Sequence, residues 1–190
     1  MSKTERAVLF ANGEAPNLTA LELQTQDFLV AVDGGLHHLK HLGLNPQLLI
    51  GDMDSLSAQE VEACQQAGVE ILRYPPAKNK TDLELALDEV LQRGYRNILI
   101  AFALGGRLDQ TLANLALLSR PDLNDYAVRI DDGVTEVTLL RHTISLACQP
   151  RDVVSLLPWG GAIEGVVTHG LEYALEGETL LPWQTRGISN

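Results

Sequence analysis

At 190 residues, with 45% hydrophobic and 21% charged side chains, the chain has an ordinary globular composition and length enough for one large or two small cores. A formal charge of −11 excludes a general nucleic-acid binder, which needs a basic surface to neutralise phosphates; a small phosphate-bearing substrate would call for a divalent cation or a few placed basic groups. No run reaches membrane-spanning length, the start MSKTERAVLFANG carries no apolar signal segment, and Cys64 and Cys148 form no metal-ligand pattern, so a cytoplasmic protein with reduced thiols and no membrane partner is expected.

In chain order, apolar runs at 7–11, 28–32, 47–50, 69–72 and 97–103 predict strands. Amphipathic stretches near 18–26, 36–42, 58–67, 82–93 and 108–118 predict helices between and after them. After Thr81, the residues Leu83, Ala86, Leu87, Val90 and Leu91 line one helical stripe. Apolar strands separated by helices imply a parallel sheet covered on both faces, a Rossmann-like α/β domain. From about Thr135 the texture changes. Short strand-like pieces at 136–140, 143–148, 153–157, 163–168 and 171–175 follow one another with turn signals such as Gln149-Pro150 and Pro158-Trp159-Gly160-Gly161. Without a helical period, they predict a small all-β sandwich or partial barrel. The expected organisation is an α/β domain over 1–135 and a β-sandwich over 136–190.

Polar clusters follow the predicted strands. Asp33-Gly34-Gly35 comes after FLVAV, and Gly51-Asp52-Met53-Asp54-Ser55 after QLLI. Lys78-Asn79-Lys80-Thr81-Asp82 opens a helix, and Gly105-Gly106-Arg107-Leu108-Asp109-Gln110 follows NILIAFAL. Ligands of open parallel sheets bind in the crevice at the carboxyl ends of the strands, so clusters distant in sequence can converge there. Taken singly, each has a plainer role. Asp-Gly-Gly is a common turn, Thr81-x-x-Glu84 matches a capping box, Asp82 complements a helix dipole, and Gly105-Gly106 makes a strand-to-helix turn. Asp52 and Asp54 resist such an account. Two apart in an extended segment, their carboxylates would project to one side and repel unless a cation or protons compensate them. Hard oxygen donors of this kind suit Mg²⁺. Lys80, a compact point charge, and Arg107, a planar fork, would supply the positive charge a polyphosphate needs.

The strings Asn12-Gly13, VAVDGG, IGDMDS, KNKTD-x-E and LGGRLDQ-x-x-x-N, in this order and spacing, resemble the thiamine pyrophosphokinase family. LLPWGGAIEGVVTHGLEYAL and RGISN are similar to that family's second domain, so the resemblance covers nearly the whole chain. It implies a catalytic α/β domain joined to a β-sandwich, and a homodimer with thiamine bound between the catalytic domain of one subunit and the sandwich of its partner. Motif by motif, it implies Asp52, Asp54 and Asp82 as Mg²⁺ ligands with Asp33 close by. Asn12, Gly13, Asp33, Gly34, Lys80 and Arg107 would face ATP, while Asp109, Gln110, Tyr173 and Ser189 would lie toward thiamine.

There are two departures. The family frequently carries histidine where this chain has Gln110, which hydrogen-bonds but accepts no proton near neutral pH. Relatives usually continue past the Ile-Ser-Asn motif, whereas this sequence stops at Asn190; either the sandwich is short or a tail follows, and an open strand edge would need cover. The expected reaction is in-line attack of the thiamine hydroxyl on the β-phosphorus of ATP with AMP leaving, a transfer that depends on positioning and charge stabilisation. Asp52, Asp54, Asp82 and Arg107 are its expected catalytic residues. A nucleotide- or thiamine-binding module without turnover, or transfer to a different alcohol, are the competing readings. His37 and His41 share a helical face without a third ligand, and Trp159 and Trp183 are expected in packing.

Overall fold

A computed structural model describes residues 3–190. The chain divides into two compact units, one running to His142 and the other from Thr143 to Asn190. The first is built on a single sheet ordered β4-β3-β2-β1-β5-β6-β7. Its strands β1 (Lys3–Phe10), β2 (Phe28–Val32), β3 (Leu48–Gly51), β4 (Glu70–Arg73), β5 (Tyr95–Ala101) and β6 (Ala127–Asp131) run parallel, and β7 (Glu136–Thr138) closes the edge antiparallel to β6. Helices α1 (Leu36–His41), α2 (Ala58–Gln66), α3 (Asp82–Gln92) and α4 (Leu108–Leu117) intervene.

Both sheet faces are buried because the strands are apolar on both sides. Ala7 and Leu9 face one core with Leu83, Leu87 and Val90 of α3, while Val8 and Phe10 face the other with Leu36 and Leu39 of α1 and Val61 of α2. Fully burying each such leucine, valine or phenylalanine contributes about 1.5–3 kcal/mol. The α3 stripe predicted from periodicity is buried at Leu83, Ala86, Leu87 and Val90. Thr81 Oγ1 caps that helix by accepting the Glu84 N–H; the reciprocal capping box forms instead at Ser57 and Glu60 of α2.

β1 is the first strand and lies within the sheet. The chain builds outward to β4 on one side, then resumes beside β1 with β5 on the other. This reversal is the topological switch point, where the loops after adjacent strands part and leave a crevice at their carboxyl ends. The loops after β1 and β5 are stitched together there: Gly13 N–H donates to the Phe102 carbonyl at 2.8 Å and Glu14 N–H to that of Leu104 at 3.0 Å.

The structure departs from the predicted elements at several places, among them β6, which no predicted strand covers. The helix expected over 18–26 is only a 3-10 turn at Leu18–Ala20. Side chains claim the backbone beyond it: the Glu22 carbonyl accepts from the distant Arg6, and the Gln24 N–H donates to the carboxylate of Asp27 three residues on. The strand-like run beginning at Glu136 pairs with β6 in the main sheet rather than with later strands. The second unit holds one antiparallel pair, β8 (Ile163–Val167) with β9 (Glu176–Leu180). Its remaining extended segments touch at isolated points, as where Val154 and Asn190 exchange backbone bonds at 2.8 Å. The architecture is thus α/β followed by a small antiparallel β unit.

Candidate active site

The end of β2 turns at Asp33, whose φ of 47° places a non-glycine residue in the left-handed region. Of the two glycines that follow, Gly35 is required by close approach, since a Cβ there would overlap the Phe10 carbonyl oxygen, while one on Gly34 would have to displace the Asn12 side chain. Asp33 is thereby held at 9% exposure. Its Oδ2 accepts from Ser55 Oγ, while its buried Oδ1 has no hydrogen-bond partner among the described residues.

The end of β3 brings Asp52 and Asp54 to the same place, though not by extended geometry. Met53 adopts a φ of 68° and buries its side chain in the core. The resulting turn lets the Asp54 N–H donate to Asp52 Oδ1 at 3.2 Å. One carboxylate oxygen each from Asp33, Asp52 and Asp54 lie within 4.8 Å of one another. This set fits a hard divalent cation: all donors are oxygen, and Asp33 carries a buried carboxylate oxygen with unmet acceptor capacity.

Asp82 stands beside this set rather than within it. A Cβ on Gly51 would lie 3.0 Å from Asp33 Cβ and 3.3 Å from Asp82 Oδ1, so the bare backbone of Gly51 (φ 146°) is what lets the two carboxylates approach. Lys78 ties the group together, its Nζ lying 3.0 Å from Asp52 Oδ2 and 3.1 Å from Asp82 Oδ1. The second contact is an ion pair that falls short of hydrogen-bond geometry, and Asp82 Oδ1 keeps unmet acceptor capacity. The Lys78 hydrogen bond holds the Asp52 carboxyl below its ordinary range. Burial pushes that of Asp82 up, against the pull of Lys78.

Among the basic residues expected to face phosphate, the structure sends Lys80 elsewhere: its Nζ pairs with Asp88 at 2.6 Å and Glu84 at 3.5 Å along the flank of α3. Lys78 and Ser55, inside the strings KNKTD and GDMDS but given no role from sequence, are the residues in contact with the acidic set. Arg107, the N-cap of α4, is exposed and forks onto Asp109 at 3.1 and 2.6 Å. Gln110 is exposed in the same first turn. Asn114 anchors that helix, donating from Nδ2 to the Ala103 carbonyl at 2.8 Å. In the second unit, Tyr173 exchanges bonds with the Asn190 amide at 2.8 and 2.6 Å. Ser189 N–H donates to Ser155 Oγ at 3.1 Å.

The Asn12-Gly13 loop is held by a residue that carried no functional expectation. His38 of α1 lies 3.0 Å through Nε2 from the Gly13 carbonyl, and its ring packs 4.9 Å from that of Phe102. A carbonyl only accepts, so Nε2 carries the proton. Burial lowers the His38 pKa from its ordinary value of about 6.5, with the bond to Gly13 opposing and the neighbouring His41 and His37 adding to the shift. Below pH about 6.5 the unfolded chain therefore binds a proton that the folded chain resists, and stability falls as pH falls. Thermal melts between pH 8 and 5.5 are expected to show a steeper loss for the wild type than for His38→Gln; parallel curves would remove His38 as the cause.

Comparison with known proteins matches the same stretch of chain. A family model described as "Thiamin pyrophosphokinase, catalytic domain" matches residues 19–130, and one described as "Thiamin pyrophosphokinase, vitamin B1 binding domain" matches 141–190. The chain is 29% identical over 164 residues to a thiamine pyrophosphokinase of Bacillus subtilis (strain 168), covering 85% of this chain and 76% of the relative. A crystal structure of thiamine pyrophosphokinase from Bacillus subtilis superposes with a TM-score of 0.83 at 26% identity, over 98% of this chain and 88% of the other. A thiamin pyrophosphokinase family protein from Enterococcus faecalis gives 0.79 at 28%, over 97% and 87%. The yeast enzyme, at 17% identity and 0.73 over 98% and 78%, shares the fold.

Proposed function

The chain belongs to the thiamine pyrophosphokinase family, whose reaction transfers a pyrophosphoryl group from ATP to thiamine to give thiamine diphosphate and AMP, and we propose that its acidic crevice performs this transfer with Mg²⁺. The observation that carries the proposal is the Asp33, Asp52 and Asp54 set, with one oxygen of each within 4.8 Å of the others, in which Asp33 also keeps a buried oxygen without a hydrogen bond among the described residues. The set stands at the carboxyl edge of a parallel sheet inside the stretch matched by the catalytic model.

Bound Mg²⁺ would neutralise polyphosphate charge and help fix the phosphorus under attack. Asp33, Asp52 and Asp54 would hold it, with Asp82 tied in through Lys78. The Asn12-Gly13 loop, Gly34 and the loop after β5 would seat the nucleotide. Arg107, exposed and engaged only with its neighbour Asp109, would exchange that partner for phosphate oxygens on ATP binding. Lys80 would contribute at longer range from the flank of α3. The thiamine hydroxyl would attack the β-phosphorus as the bond from the α,β-bridging oxygen to the β-phosphorus breaks. AMP then leaves with that oxygen, and the hydroxyl proton passes to an aspartate of the crevice or to water. Such chemistry is dominated by positioning and electrostatics, which a cluster of carboxylates, cation and arginine supplies.

Asp109 and Gln110 would lie toward thiamine, and Tyr173 and Ser189 would serve it from the second unit, within the stretch matched by the vitamin B1 binding model. Gln110 can hydrogen-bond but not act as a base near neutral pH, so the reading uses no histidine there. A homodimer belongs to the same reading: Leu108 and Leu112 of α4 are 71% and 48% exposed and Trp183 is 76% exposed, apolar surface that association would cover. No helix among the described residues is long and apolar enough to cross a membrane. Cys64 and Cys148 are both free thiols, which supports a cytoplasmic setting.

The test is AMP release from ATP and Mg²⁺ with and without thiamine, with thiamine diphosphate followed by chromatography. Equal amounts of the two products, appearing only with thiamine, are expected. Thiamine binding without AMP would overturn the reading in favour of a binding module, and AMP release with a different alcohol alone would overturn the acceptor.

A further inference from the structure

Four carboxylates, those of Asp33, Asp52, Asp54 and Asp82, gather in the crevice, and Lys78 is the basic residue that contacts them among the described residues. Its side chain is 12% exposed, as deeply placed as that of Asp52 at 11%. A lysine held solely for surface solubility would keep its ammonium in water. Here the stem is folded inward and the head lies between carboxylates that come from different loops, Asp52 after β3 and Asp82 at the start of α3. The segment between β4 and α3 that carries Lys78 is irregular, so the ammonium can withdraw without breaking a helix or a ladder.

We infer that Lys78 is a resident counter-cation that couples divalent-cation binding to nucleotide binding. Without nucleotide, the ammonium neutralises Asp52 and Asp82 and weakens the attraction of the acidic set for a divalent ion. A polyphosphate arriving in the crevice offers the ammonium a stronger anionic partner, draws it off the carboxylates and leaves them to the cation. Cation and nucleotide then bind better together than apart, and by linkage each strengthens the other by the same factor. Four carboxylates need more compensation than one lysine gives, which leaves room for a divalent ion, while the ammonium occupies oxygens of Asp52 and Asp82 that such an ion would otherwise meet. The inference rests on the reading of Asp33, Asp52 and Asp54 as the cation site, and it makes Lys78 a positioning residue whose effect is on loading.

The experiment is Mn²⁺ binding, followed by loss of the free-ion electron paramagnetic resonance signal, with and without a non-hydrolysable ATP analogue. It is run on the wild type, Lys78→Met, Lys78→Arg and Asp54→Asn, each first shown to melt cooperatively. Wild type is expected to bind Mn²⁺ weakly alone and tightly with the analogue. Lys78→Met is expected to bind Mn²⁺ alone about 10-fold more tightly and to lose most of the enhancement by analogue, a change within the ordinary range of coupling. Lys78→Arg, which keeps the charge, should behave as wild type. Mn²⁺ affinity in Lys78→Met that is unchanged or weaker, while Asp54→Asn abolishes binding, would overturn this inference and leave the cation site standing. Absence of saturable Mn²⁺ binding by the wild type, even with the analogue, would overturn both.

Discussion

Asp54→Asn is expected to fold as the wild type does and to lose at least about 100-fold in turnover, the equivalent of nearly 3 kcal/mol of transition-state stabilisation. The two halves of this expectation come from different features of the residue. Asp54 is exposed, and its main contacts are a backbone N–H bond to Asp52 Oδ1 at 3.2 Å, which asparagine retains, and a long hydroxyl contact from Ser55 at 3.2 Å. Substitution at such a position shifts stability by about 0.5 kcal/mol or less. It also removes one of several crowded negative charges, which favours the folded chain. The chemical loss follows from the other side of the site, because an amide oxygen is a far weaker partner for a divalent ion than a carboxylate. Steady-state kinetics with saturating ATP and thiamine, read beside a thermal melt, checks both parts. Turnover within threefold of wild type would remove Asp54 from the cation site, and a lost melting transition would show that its role is structural.

How far the sequence foretells this site depends on which backbone it lies on. Strands β1 to β5 are legible as continuous apolar runs, and α3 because its apolar residues recur with the helical period: Leu83, Ala86, Leu87 and Val90 are buried as the stripe predicts. Clusters that follow strands were legible for the same reason, since the end of a strand fixes the edge of the sheet on which they fall. The irregular segments were not. Asp52 and Asp54 do meet, but through a left-handed Met53, a conformation for which a bulky residue gives no local signal. Lys78 and Lys80 are two apart between β4 and α3, where no period says which points inward; the structure turns the first to the carboxylates and the second to Asp88. β6 was missed, and β9, with the sequence EGETL, lacks the apolar alternation that marks a strand. The segment 18–26 has helical spacing, yet Arg6 and Asp27 take its backbone groups for themselves.

That last pair carries the other large effect. Asp27→Asn is expected to lower the free energy of unfolding by about 3–5 kcal/mol, a substantial share of the 5–15 kcal/mol ordinarily available to a domain. Arg6 and Asp27 are joined by a two-pronged ion pair, Nε to Oδ1 at 2.9 Å and Nη2 to Oδ2 at 2.6 Å. Their side chains are 4% and 0% exposed. The pair also organises its surroundings, since Arg6 Nη2 donates to the Glu22 carbonyl at 2.7 Å and Asp27 Oδ2 accepts the Gln24 N–H at 2.7 Å. Asparagine leaves the guanidinium buried without a counter-charge, and the penalty is that of an uncompensated charge rather than of one lost hydrogen bond. Removing both charges avoids the penalty, so Arg6→Met with Asp27→Leu should be more stable than Asp27→Asn alone even though it deletes more bonds. Urea unfolding of the three variants, with the slope compared to confirm a common two-state transition, measures the difference. A double variant no better than the single one would show that the bonds to Glu22 and Gln24, not the charge, hold the segment. Asp27 precedes β2, whereas the acidic crevice lies beyond that strand's carboxyl end. Turnover per folded molecule is therefore expected to survive in Asp27→Asn below its melting transition, the inverse of the outcome expected at Asp54.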